Sequence, residues 1–187
     1  MAGWIIGIGL LIAISGLFDL LHISGKSGQG AIGLGMGMGV GIMQWLIIRK
    51  YVNNGLTWVW CLLGGLGIPF LVYDYLSTWI PYSADVMVAV SALVGAVITS
   101  LLQYYFVLKP VSSRAKLWIP YSTVGWVSYN LLFGVSMALD VIHMRNVVGI
   151  ILAFTLVLGG GPLMGYITGA GLKKVFSSPG QDAAAVS

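Results

Sequence analysis

Apolar and polar positions do not alternate along this chain; they come in blocks. Six predominantly apolar stretches, at about 3–23, 30–48, 56–77, 85–108, 117–139 and 147–172, are separated by short polar connections. Each is close to the ~20 residues that cross roughly 30 Å of hydrocarbon as a helix. Short connections between long helices pack sequence neighbours as antiparallel hairpins. The pattern predicts an all-α integral membrane protein with six transmembrane helices in a single domain, residues 1–174. A flexible cytoplasmic tail is expected over 175–187, where Ser, Ala and Gly take over.

Within the blocks, glycine sets a second pattern. Gly33, Gly37 and Gly41 share one ridge of the second stretch, and Gly35 and Gly39 the ridge beside it. Helices in lipid associate by close packing, which small residues four apart permit. These ridges are expected to be packing faces, as are Ser91, Gly95 and Thr99 in the fourth stretch and Gly161, Gly165 and Gly169 in the sixth. The third and sixth stretches carry Gly64-Gly65-Leu66-Gly67-Ile68-Pro69 and Gly159-Gly160-Gly161-Pro162. Proline removes a backbone donor and crowds the preceding turn, so helix kinks are expected at Pro69 and Pro162. Interrupted helices line binding sites in some transporters.

Composition confirms the class. The chain is 58% hydrophobic and 7% charged, against roughly 25% charged residues in soluble domains. Charge then sets orientation. One set of connections holds seven basic residues, Arg49, Lys50, Lys109, Arg114, Lys116, Lys173 and Lys174; the other holds Lys26 and Arg145. By the positive-inside rule both termini are cytoplasmic. The asymmetry accounts for most of the +4 net charge without a nucleic-acid partner, and a basic inner rim suits anionic lipid headgroups. No basic region precedes the first apolar stretch, so that span is expected to be retained. Cys61 is the single cysteine, which rules out an intrachain disulfide.

Spacing adds an internal repeat. Gln44 precedes Lys50 by six residues, as Gln103 precedes Lys109, an offset of 59; Trp58 and Trp118 follow at an offset of 60. Three diverged αα-hairpin repeats, spans 1 with 2, 3 with 4 and 5 with 6, account for this. Trp4, Trp45, Trp58, Trp60 and Trp118 are expected in an interfacial belt at the inner boundary, with Trp79 at the outer one and Trp126 within a span.

The sparse ionisable residues supply the candidate chemistry. Asp19-Leu-Leu-His22, Asp74-Tyr-Leu-Ser77 and Asp140-Val-Ile-His143 each close an apolar stretch on the outer side. Residues three apart share a helix face. Were spans 1, 3 and 5 to surround one axis, Asp19, His22, Asp74, Asp140 and His143 would form a ligand-binding outer mouth. Such a mouth suits a divalent cation, a cationic substrate or proton transfer; the metal and any cofactor are unspecified. Alternatively each pair bonds nearby backbone at the membrane edge, and Arg145 competes for Asp140. The chain has no Glu and no Lys or Arg within its spans, which argues against a proton pump with a continuous relay. Ser91 and Ser100 lack an in-span His to activate them, which argues against a serine protease.

The segment Gly41-Ile-Met-Gln44-Trp45-Leu46-Ile47-Ile48-Arg49-Lys50, with Trp58 after it, resembles the Gln-Trp-Leu-x-Leu-Arg segment of small, uncharacterised bacterial multispan membrane proteins. The resemblance implies a bacterial inner-membrane setting and no activity. In size and topology the chain is also similar to substrate-binding subunits of energy-coupling vitamin transporters, an architectural likeness without a shared motif. The expectation is a non-enzymatic membrane protein that binds or passes a small solute, metal ion or lipid, with other membrane subunits or copies of itself. A structural accessory subunit of a larger complex is the alternative.

Overall fold

Loss of backbone hydration in lipid leaves helices as the simplest way to satisfy every peptide group, and helices are what the chain forms. A computed structural model describes residues 2–20, 29–52, 54–79, 84–138 and 147–177. The helices are α1 (Ala2–Leu20), α2 (Gln29–Ile48), α3 (Leu56–Leu76), α4 (Ala84–Gln103), α5 (Trp118–Ala138) and α6 (Val147–Phe176). Among the described residues, Gln29–Ile48, Leu56–Leu76 and Val86–Leu108 are long and apolar enough to cross a membrane. Large apolar side chains such as Ile12, Ile68, Leu131 and Ile151 are exposed on the outer faces, where lipid rather than water would meet them.

Extensive packing follows chain order: α1 on α2, α2 on α3, α3 on α4, α4 on α5 and α5 on α6. Among the described residues, packing of this extent does not join α1, α3 and α5 directly to one another.

Glycine explains the closest approaches. A Cβ on Gly33 would meet Phe70 at 2.8 Å, one on Gly37 the Leu62 carbonyl oxygen at 2.9 Å, and one on Gly41 the Val59 Cα at 3.3 Å. The whole Gly33–Gly37–Gly41 ridge is therefore taken up by α3. The α3–α4 crossing is closer still. A Cβ on Gly65 would overlap the Thr99 hydroxyl and lie 2.7 Å from Thr99 Cα. Pro69 leaves the Gly65 carbonyl without its usual i+4 donor, and that oxygen sits 3.0 Å from where a Gly95 Cβ would be. Pro69 and Pro162 both lie inside helices assigned without a break.

Two expectations change here. Val175 is 2% exposed and Phe176 stacks on Tyr51 at 4.7 Å, so α6 carries into the segment assigned to the tail. In α6, Gly165 and Gly169 have no atom within 4 Å of a would-be Cβ; Gly160 and Gly171 instead abut Tyr129 and Tyr121 of α5. Close contact with α5 thus falls on a face rotated from the Gly161–Gly165–Gly169 ridge. Spacing reveals that a smooth ridge exists, not which neighbour covers it.

Candidate functional site

The first turn of any helix leaves backbone N–H groups without internal acceptors. In α2 two of them are met from 45 and 44 residues away. Asp74, in the last turn of α3 and 8% exposed, accepts from Gln29 N at 3.0 Å through Oδ1 and from Gly30 N at 2.6 Å through Oδ2. The negative carboxylate also complements the positive end of the α2 dipole. Approach depends on Gly30: a Cβ there would lie 2.6 Å from Leu71 Cδ2 and 3.0 Å from Asp74 Oδ2. Ser77, the third residue on from Asp74, does not share this task. Its hydroxyl donates to the Asp74 backbone oxygen at 2.9 Å.

Of the five residues proposed for an outer mouth, the structure places Asp74 against the α2 backbone and Asp19 in the exposed last turn of α1. His22, Asp140 and His143 lie outside the described residues. Among the described residues, no group of three His, Cys, Asp or Glu side chains gathers as a metal site would require.

At the opposite end stands an arrangement that side-chain class alone hides. Trp58 Nε1 donates to Gln44 Oε1 and Trp118 Nε1 to Gln103 Oε1, each at 2.9 Å. The two indoles lie 5.1 Å apart, tilted by 55°. Trp58 and Trp118 are 0% and 1% exposed, so neither belongs to the interfacial belt expected of them. Trp60 and Trp79 are exposed as a belt residue would be, and Trp126 is buried in the core. A buried indole N–H needs an acceptor, and a glutamine near the end of the preceding helix supplies one at both junctions between hairpins, α2 with α3 and α4 with α5. The matched Gln/Trp offsets were the available signal.

Polar groups continue inward from this pair. Ser100 donates to the Ala96 carbonyl at 2.7 Å, Ser122 is buried, and Thr123 reaches the Ser100 hydroxyl at 3.4 Å. Gln103 Nε2 and Thr99 Oγ1 are buried without a hydrogen-bond partner. Removing one member of a clasp strands the other. Trp118→Phe and Gln103→Leu are each expected to cost about 1–3 kcal/mol, and the double variant less than their sum. Unfolding of the four proteins in one detergent tests this; additive costs would mean that the bond contributes nothing.

The basic residues gather at the same end. Arg49 lies over Trp45 at 5.8 Å, Lys50 over Tyr51 at 4.9 Å, Lys109 over Tyr105 at 5.4 Å and Lys174 over Tyr121 at 5.3 Å. Ser112 donates to the Val175 carbonyl and Arg114 to the Ser177 hydroxyl, tying the α4–α5 connection to the end of α6. Aromatic rings held against cations suit a boundary between hydrocarbon and water.

No protein-family model, curated protein or solved structure matches this chain.

Proposed function

We propose that this chain is a structural accessory subunit of a larger membrane complex, spanning a bacterial inner membrane six times with both termini inside. Seven basic residues support that orientation, since cytoplasmic connections are the ones enriched in Lys and Arg. The matched Gln44–Trp58 and Gln103–Trp118 bonds, each joining one hairpin to the next, support descent of the α1–α2, α3–α4 and α5–α6 hairpins from one repeat.

The observation that carries the reading is the use made of Asp74. A buried carboxylate in an apolar helix is usually a functional group; this one joins α3 to α2. The α2–α3 and α3–α4 interfaces are close-packed, while Gly9 and Gly16 on α1 and Gly165 and Gly169 on α6 have open space beside them. Smooth faces on the first and last helices suit docking of further transmembrane helices.

A second reading, a protein that binds or passes a small solute or metal ion at the outer end, draws on Asp19. It stands in the exposed last turn of α1, ahead of His22 in sequence. Purification in mild detergent at native expression, followed by mass spectrometry, separates the two. The accessory reading expects larger subunits at fixed stoichiometry. A stable lone protein carrying a metal or vitamin, released on replacing Asp19, His22, Asp140 and His143, would establish the second reading instead.

A further inference from the structure

The α2–α3 connection and the segment that follows α4 line a half-open pocket of about 240 Å³ at the basic end of the molecule. Tyr51, Val52 and Asn54 form one wall; Phe106, Val107, Pro110 and the exposed Val111 form the other. The second wall exists because the chain leaves α4 through a π-helical turn, Tyr104–Leu108, closed by Lys109 N donating to the Tyr104 carbonyl at 2.8 Å. Such wide turns inside helices recur at functional sites. Here the turn buries Val107 and Leu108 while leaving Tyr105 and Phe106 exposed.

Two lysines adjoin wall residues in sequence. Lys50 precedes Tyr51 and holds its ammonium over that ring, and Lys109 precedes Pro110 with its ammonium over Tyr105. Both lysines are exposed. The sequence places no Asp or Glu between Gln29 and Tyr73 or between Val86 and Leu139, so the helices and connections that build this pocket carry no anion of their own. Arg114, by contrast, is engaged with Ser177.

We propose that this pocket seats the headgroup of an anionic phospholipid, with Lys50 and Lys109 on the phosphate. The pocket is smaller than the 300–1,000 Å³ typical of sites that enclose a whole small molecule, which fits a headgroup whose acyl chains stay in the bilayer. Its walls divide in the same way: Asn54 and the Tyr51 hydroxyl offer hydrogen bonds, while Val52, Phe106, Val107 and Pro110 meet glycerol and the first methylenes. A juxtamembrane lysine adds about fivefold to anionic-lipid affinity, so the pair supplies selectivity over zwitterionic lipid.

The inference rests on the membrane-spanning part of the proposed function and not on its docking role. The test uses the full chain in nanodiscs of phosphatidylcholine containing a minor fraction of phosphatidylglycerol, with retained lipid counted by native mass spectrometry. Wild type is expected to keep phosphatidylglycerol selectively. Lys50→Gln/Lys109→Gln should lower retention at least tenfold, whereas Lys116→Gln/Lys173→Gln, equal in charge change, should not. Val111→Trp, which fills the pocket from an exposed wall without altering charge, should also abolish retention. Equal loss in both lysine pairs, retention by Val111→Trp, or no preference over phosphatidylcholine would each overturn the site. Excess inorganic phosphate that displaced the lipid completely would show that the pocket reads phosphate alone, and would overturn the lipid assignment. Failure to enter nanodiscs at all would instead defeat the membrane-spanning reading.

Discussion

Gly65→Ala is expected to destabilise the protein by about 3 kcal/mol, whereas Gly64→Ala, one residue earlier, should fall within about 0.5 kcal/mol of wild type. Adjacent helical positions point about 100° apart, and the two glycines meet different surroundings. A Cβ on Gly64 finds nothing within 4 Å. On Gly65 it finds the backbone of α4, with Thr99 Cα at 2.7 Å and Thr99 N at 2.8 Å. Backbone cannot rotate away as a side chain does, so α3 and α4 must separate, and in lipid no hydrophobic drive restores the contact. Thr99→Ala removes the hydroxyl from the clash but leaves both backbone atoms, so it should rescue Gly65→Ala only in part. Unfolding in mixed micelles at fixed detergent composition reads all four proteins. Equal losses at Gly64 and Gly65 would show that helix propensity, rather than the α3–α4 crossing, governs these glycines.

The same crossing shows which features the chain makes legible. Apolar blocks of the right length predict helices at close to their observed bounds because a helix satisfies its own backbone hydrogen bonds wherever water is excluded. The Gly33–Gly37–Gly41 ridge and the Ser91–Gly95–Thr99 ridge are visible as spacing, and both face α3. The α6 ridge is equally regular, yet Gly165 and Gly169 face open space. Spacing is a property of one helix, whereas packing belongs to two. Trp58 and Trp118 sit at a boundary in sequence whether they point to lipid or inward. Only the glutamine 14 or 15 residues earlier distinguishes them, as a matched acceptor for a buried N–H. Asp74 is the harder case. Its spacing to Ser77 repeats that of Asp19 to His22 and Asp140 to His143, which suggests a shared role at a mouth. The partners that hold it are backbone amides of Gln29 and Gly30, and a backbone amide leaves no mark in a sequence.

Replacing Asp74 should therefore act on α2 rather than on a ligand. Asp74→Ala removes the acceptor for two N–H groups in a buried setting and is expected to cost about 2–4 kcal/mol. Asp74→Asn is nearly isosteric but turns one acceptor into a donor. Its amide nitrogen would face either Gln29 N or Gly30 N, so about 2 kcal/mol should still be lost. Ser77→Ala deletes only a bond to the same helix and should change stability by less than about 0.5 kcal/mol. Hydrogen exchange supplies the local readout. In both Asp74 variants the amides of the first α2 turn should exchange faster, while those around the Gln103–Trp118 clasp keep their protection. A mouth carboxylate would behave differently. It would leave α2 protection intact, and its neutralisation would remove mutual repulsion with other carboxylates and so raise stability. The sign of the Asp74→Asn effect thus decides between a latch and a mouth, because the two roles ask opposite things of the same negative charge.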